Sequence, residues 1–268
     1  MLRSLWISKT GLDAQQSNLD TVSNNLANVS TTAFKRVRPV FEDLMYQNLR
    51  EPGLMSPNGD PVPLGLQAGN GSHISSTQRI HTAGAMVHSD NPLDMAISGN
   101  GFFVVDMSSI GSQNSYGYTR SGNFMRDING YVVNANNQKV MKDGGGYIQI
   151  ADGATSIQVA NDGTVSYYMG NTITPISAGR IQVVNFVNPT GLASSGAGIY
   201  TQTPASGSPI SGTPGQNGLG SVTQYYTEQS NVNVAEELVA LIAAQRAYEI
   251  TAKSVSASDQ MLQKLGQL

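Results

Sequence analysis

Cysteine is absent from all 268 residues, which excludes disulfide scaffolds, cysteine-ligated zinc, iron–sulfur clusters and thiol catalysis. Charge is scarce: Asp, Glu, Lys and Arg make up 12% of the chain, about half the usual share of roughly 25%. The formal balance is −3, so no basic footprint for nucleic acid or an anionic membrane surface exists. No apolar run approaches the roughly 18 residues of a membrane span. The opening Met1-Leu2-Arg3-Ser4-Leu5-Trp6-Ile7-Ser8-Lys9 lacks the apolar core and small-residue cleavage site of a secretory signal peptide. The chain is therefore expected in the cytoplasm, or exported by a route that leaves its N-terminus intact.

Leucines recur at a strict seven-residue interval, Leu5, Leu12, Leu19 and Leu26, with Val22 and Val29 beside the last two. Residues from about 3 to 30 thus read as a helix with one narrow apolar seam. The far end repeats the theme with Val234, Leu241, Tyr248, Val255 and Leu262, flanked by Leu238 and Ala252. Asn233 followed by Glu236 resembles a capping box, so a second helix is expected over about 234–265. Between the ends, short apolar runs such as Phe102-Phe103-Val104-Val105 and Ile181-Gln182-Val183-Val184 alternate with turn dipeptides, Asn129-Gly130 and Asp162-Gly163 among them. Gly144-Gly145-Gly146 reads as a loop tip. The fold class is α+β, with long terminal helices pairing as a coiled-coil-like domain around a central β-rich domain. The expected domains are 1–34 with 231–268 as a discontinuous helical inner core, 35–70 as an extended connector rich in proline, and 71–230 as the outer β domain. Within the connector, 40–50 could form a short helix; 188–221, dense in Gly, Ser, Thr and Pro, reads as loops.

The N-terminal helix carries amides and hydroxyls where a solvated helix carries Glu, Lys and Arg: Gln15, Gln16, Ser17, Asn18, Thr21, Ser23, Asn24, Asn25 and Asn28. Such residues compete with helical backbone bonds, so the segment is a poor helix in isolation. Its apolar seam does not offset the entropy of ordering it. Amides on every face suit a helix surrounded by protein. The expectation is that both termini are unsettled in the monomer and fold during self-assembly, with an intramolecular hairpin as the alternative.

Candidate chemistry is thin. His73, His81 and His88 lack ligand spacing and a completing carboxylate cluster, and read as loop or strand positions. Gly99-Asn100-Gly101 lacks the third glycine and the helix of a phosphate loop, and reads as a tight turn into a buried strand. Asp127-Ile128-Asn129-Gly130 reads as a hairpin turn and not a calcium loop. Lys35, Arg36 and Arg38 form the one basic cluster, expected to satisfy a helix C-terminus or to face water. Glu42-Asp43 and Glu236-Glu237 read as helix polar faces and end-of-helix charges, not as the paired acids of a hydrolase. No enzyme, no cofactor and no metal are expected.

At Ser23-Asn24-Asn25-Leu26-Ala27-Asn28-Val29-Ser30-Thr31-Thr32-Ala33-Phe34-Lys35 the chain resembles the N-terminal signature of the bacterial flagellar rod and hook (axial) proteins. Ala33 stands where that family usually has glycine, which leaves open whether the chain makes a left-handed turn there. Ser230-Asn231-Val232-Asn233-Val234-Ala235-Glu236-Glu237-Leu238, with Gln245-Arg246-Ala247-Tyr248-Glu249 and Asp259-Gln260-Met261-Leu262, resembles the family's C-terminal signature. Ala96-Ile97-Ser98-Gly99-Asn100-Gly101-Phe102-Phe103 and Tyr118-Thr119-Arg120-Ser121-Gly122-Asn123-Phe124 resemble its β-domain motifs. The opening residues and Phe41-Glu42-Asp43-Leu44 are most similar to distal-rod members, with proximal-rod paralogues as the rival.

The resemblance implies a structural subunit of the distal rod in the flagellar basal body. It implies export by the flagellar type III apparatus and helical polymerisation into a rigid hollow shaft that carries torque across the periplasm. The implied partners are further copies of the chain, proximal-rod proteins, the hook protein, and the P-ring and L-ring bushing, with no nucleic acid and no membrane insertion. It also implies that the connector packs on neighbouring subunits and stiffens the rod. Seam and signature together nominate as assembly residues Leu5, Leu12, Leu19, Asn24, Asn25, Leu26, Asn28, Phe34, Phe41, Leu44, Val234, Leu238, Leu241, Tyr248, Val255 and Leu262. A surface adhesin or cell-wall-binding module is the alternative of another class; such a module could lose both heptad ends and still bind.

Overall fold

Both heptad segments are helical, α1 over Leu2–Ala27 and α2 over Val234–Leu265, in a computed structural model that describes residues 2–50, 65–108, 116–170 and 174–266. Helix α2 starts where the sequence signals it. The Asn233 side chain accepts a hydrogen bond from the Ala235 N–H at 3.1 Å, and Glu236 and Glu237 occupy the first turn. The Asn233 amide also reaches the Glu236 carboxylate at 3.3 Å, so the two capping residues meet side chain to side chain. Helix α1 has neither an acidic first turn nor a basic last turn, so its dipole receives no such support.

The chain divides into two compact units. The helical unit comprises Met1–Ala27, Val37–Arg79 and Asn233–Leu268; the β unit comprises Asn28–Arg36 and Ile80–Val232. In the helical unit, Ser8 Oγ lies 3.3 Å from Ser254 Oγ, and Asn25 Nδ2 lies 3.3 Å from a carboxylate oxygen of Glu237. One number falls as fast as the other rises, so α1 and α2 run antiparallel and stay in step. The enclosed positions are small or polar: Ser8, Ala14, Val22 and Asn25 on α1, and Glu237, Ala244 and Ser258 on α2. A Cβ on Gly11 would sit 3.4 Å from the Thr251 methyl, so the absence of a side chain lets the helices approach there. The heptad apolar residues Leu5, Leu12, Leu19, Leu26, Leu241, Tyr248, Val255 and Leu262 are only half-buried, and Val234 and Leu238 are exposed.

The segment 40–50 is not a helix. Strand β1 (Val37–Asp43) pairs antiparallel with β4 (Ser72–Arg79), and β2 (Gln47–Arg50) pairs with β3 (Leu66–Ala68). A ribbon two strands wide leaves one side of each strand unpaired, which accommodates Pro39 within β1. Extended pairing with β4 thereby overrides the weak local helical pattern. Helix α1 packs on β1 and β4, and Arg3 grips the ribbon's return by donating to the carbonyls of Ala68 at 2.5 Å and Gly69 at 3.1 Å. The proline-rich part of the expected connector, 51–64, lies outside the described residues.

The β unit is built on a six-stranded antiparallel sheet in the order Ala193–Gly196, Ile199–Thr201, Tyr116–Thr119, Phe102–Asp106, Val183–Asn185 and Ile210–Gly212. Both faces are covered, which is why its central strands read as continuous apolar runs. Phe103, Val105 and Val183 face the larger core with Ile97, Phe124 and Ile148; Phe102, Val104 and Val184 face the smaller one with Tyr118, Phe186 and Tyr200. Gly99 and Gly101 turn the chain into the buried strand at φ 113° and 140°. The segment 188–221 is not merely loops: it supplies both edges of the sheet. Edge strands have few neighbours to pack against, so Ala, Ser and Gly suffice and no apolar run marks them. A three-stranded meander (Ala154–Val159, Thr164–Met169, Ile176–Arg180) turns at Asp162-Gly163 and closes over the larger core. At Gly122 a Cβ would fall 1.6 Å from the Met95 carbonyl oxygen, so glycine is required there by close backbone approach.

Candidate assembly surface

The helical unit leaves large apolar side chains in solvent. On α2, Leu238, Ile242 and Ile250 fall at helical spacing down one side, with Val239 beside them; Val239 and Ile250 are each 68% exposed. Trp6 and Ile7 are exposed on α1. The ribbon exposes Phe41, Tyr46, Leu49 and Leu66, and Met45 is 88% exposed. A two-stranded ribbon has no interior in which to hide such residues. Contiguous apolar surface of this kind marks a protein contact.

The amides of the N-terminal signature divide between solvent and internal duty. Asn25 is buried at the end of α1 and acts as a strand partner: its Nδ2 donates to the Val37 carbonyl at 2.8 Å while its Oδ1 accepts from the Val37 N–H at 3.0 Å. The same amide reaches the buried Glu237 of α2. One side chain therefore joins α1, the start of β1 and α2. Asn24 is exposed, Leu26 half-buried, and Leu44 half-buried on the ribbon. In the β unit Asn28 accepts from the Thr31 hydroxyl at 3.1 Å, and Phe34 is half-buried. Ala33 is buried with φ 57°: the left-handed turn is made, with alanine in place of glycine.

Lys35 neither faces water nor caps a helix. It is fully buried, and its Nζ donates to Glu228 Oε1 at 2.5 Å and to the Thr82 carbonyl at 2.7 Å. Arg120 approaches the second Glu228 oxygen at 3.5 Å, donates to the carbonyls of Ile97 and Gly99, and lies 5.6 Å from the Phe102 ring centre. Burial holds the Lys35 ammonium below its ordinary pKa, against the raising influence of Glu228, and burial acts likewise on Arg120.

Three family models match along the chain in order. Residues 6–35 match the flagella basal body rod protein model, 96–167 the flagellar hook protein FlgE/F/G D1 domain, and 223–268 the flagellar basal body rod FlgEFG protein C-terminal model. The flagellar basal-body rod protein FlgG of Buchnera aphidicola subsp. Acyrthosiphon pisum is 51% identical over 268 residues, 100% of both chains. The FlgG of Buchnera aphidicola subsp. Schizaphis graminum is 48% identical over the same extent. That of Borreliella burgdorferi is 40% identical, covering 98% of this chain and 97% of its own. The chain belongs to the FlgG family of flagellar basal-body rod proteins. This is a structural family, and it places the chain in the flagellar basal body. No helix among the described residues is long and apolar enough to cross a membrane.

In FlgG-family terms, the first matched segment comprises all of α1 from Trp6 and ends on the buried Lys35, while the third begins within the strand Ser221–Gln224 and runs into α2. Sequence reasoning missed Lys35, Glu228 and Arg120 as a set, because partners 193 and 85 residues from Lys35 leave no local pattern. A lysine directly after the aromatic Phe34 was the one available hint. It missed Glu237 as well, reading as an end-of-helix charge a side chain that lies buried beside Asn25. The remaining candidates separate. His73 lies on β4 and His88 on the strand Met86–His88, while the His81 ring packs edge-on against Phe102 and Tyr200. His81 is therefore half-buried and not an open loop position. Asp127 accepts from the Ile128 N–H and the Asn129 amide and closes its turn through Gly130. Glu42 and Asp43 end a strand, not a helix.

Proposed function

We propose that this chain is a distal-rod subunit that polymerises with copies of itself through the open faces of α1, α2 and the ribbon. The observation that carries the reading is the apolar side chains the helical unit leaves in solvent, from Val239 and Ile250 on α2 to Met45 on the ribbon. The helix pair closes on small residues, so the apolar seam residues stay available for neighbours. In this reading α1 and α2 pair in a coiled-coil-like inner layer and the β unit forms the outer layer. The nominated residues of seam and signature then contribute to subunit contacts, apart from Asn25, whose amide is engaged within its own chain. Heterologous contacts repeated along a helical lattice resist twist and bend, which is what a torque-carrying shaft needs. The shaft would meet proximal-rod proteins at one end and the hook at the other, inside the P- and L-rings, after type III export. No active site enters this account.

Negative-stain microscopy of concentrated purified protein, with and without its last 35 or so residues, tests the reading. Straight tubes are expected from the intact chain alone. Tubes from the truncated chain would overturn it.

A further inference from the structure

The chain passes between its two units after Ala27, Arg36, Arg79 and Val232. Within the β unit, the three segments bordering these passages are fastened to one another. The Ala33 N–H donates to the Glu228 carbonyl at 2.8 Å, the Ile80 N–H to the Arg36 carbonyl at 2.9 Å, and the Gln229 N–H to the Ala85 carbonyl at 2.8 Å. Asn231 touches both other segments: its Oδ1 accepts from the Arg36 N–H at 2.7 Å, and its Nδ2 donates to the Ile80 carbonyl at 2.9 Å. Beneath them lies the ion cluster, in which Lys35 comes from the first segment and Glu228 from the third. Glu228 Oε1 also accepts the Gly84 N–H at 2.8 Å, adding the second segment. Two buried cations share one buried carboxylate. The carbonyls of Thr82, Ile97 and Gly99 accept their remaining hydrogens.

We propose that this cluster is a clasp that closes before assembly: it gathers the points at which α1, the ribbon and α2 leave the β unit, with Lys35 and Glu228 as its positioning residues. Two segments anchored side by side meet at the effective concentration of a short linker, which turns the pairing of α1 with α2 into an intramolecular step. A carboxylate between two cations suits the task, because losing any member leaves a buried charge unmatched and so discourages partial opening. The purpose of the clasp, though not its geometry, rests on reading the terminal helices as segments that gain order with neighbours.

Hydrogen exchange by mass spectrometry on dilute full-length protein tests this, comparing wild type, Lys35→Met and Glu228→Gln. In wild type the Ala33, Ile80 and Gln229 amides are expected to be protected. Lys35→Met keeps the bulk and removes the charge; exchange at Ala33 and Ile80 should rise at least about tenfold while Phe102–Asp106 keeps its protection. That selectivity separates a clasp from general destabilisation, which would accelerate the core strand too. Glu228→Gln should free Gly84 as well; should that variant fail to fold, Lys35→Met carries the test. Fast exchange at Ala33 and Ile80 in wild type, or a folded Lys35→Met protein with unchanged exchange there, would overturn the clasp. Slow exchange within α1 and α2 would instead count against late ordering of the helices, and those peptides are read separately.

Discussion

Ala33 occupies a left-handed conformation at φ 57° while its methyl is buried. Such a backbone costs an L-residue about 1–2 kcal/mol, a strain that glycine would relieve. Glycine would also forfeit a buried methyl worth about 0.8 kcal/mol and raise the entropy of the unfolded chain by about 0.4–1 kcal/mol. These effects nearly cancel, so Ala33→Gly should change stability by less than about 1 kcal/mol. Ala33→Val adds β-branching to the same φ and should cost about 2 kcal/mol or more. Urea midpoints of the two variants check this, and equal midpoints would show that the turn is not maintained in solution. The residue scale is also where the sequence was least legible. Asn25 and Lys35 sit in a stretch recognisable at a glance, yet their roles depend on Val37, Glu237 and Glu228, which only the folded chain brings near. Spacing along a chain reports periodic contacts, not single bonds between distant side chains.

Helices and strands differ in how openly the chain announces them. The heptad leucines and the Asn233 cap marked α1 and α2 to within a few residues, because a helix repeats its environment every turn. The run Phe102-Phe103-Val104-Val105 announced a strand covered on both faces. The ribbon did not announce itself, since β1 and β4 are partners across 28 intervening residues and neither alternates cleanly. The edge strands of 188–221 were hidden by their Ser and Gly content. Helix α2 also shows how a pattern can be seen and its use misjudged: the seven-residue line is only half-buried, and the enclosed positions are Glu237, Ala244 and Ser258. Replacing Val239 and Ile250 with serine removes exposed apolar surface and touches no buried contact. Stability of the dilute protein should therefore move by no more than about 0.5 kcal/mol per site, while tube formation is lost. Thermal melts with microscopy at matched concentration check both halves. Normal tubes from the double variant would remove this face of α2 from the interface.

At the scale of the whole molecule, the ribbon is the element whose role reaches furthest beyond one chain. It projects Phe41, Met45, Tyr46, Leu49 and Leu66 into solvent, while β1 and β4 remain tied to α1 at its base. A subunit joined to its neighbours through helices alone could slide along the helix axes, as packed helices do in shear motions. A second contact set at a distance from the first opposes that sliding, so the ribbon is placed to supply stiffness where the helices supply cohesion. Excising Gln47–Ala68 removes β2 and β3 with the residues between them and spares the β1–β4 ladder, where Asp43 already faces Ser72. The shortened hairpin can close with a tight turn, so both units should fold as before. The expected outcome is a protein that is exported and assembles into rods that curve, read from isolated basal bodies in the microscope. Straight rods from this deletion would move stiffness elsewhere, to the helices or the β unit. Absence of rods would show that the ribbon contributes to cohesion as well.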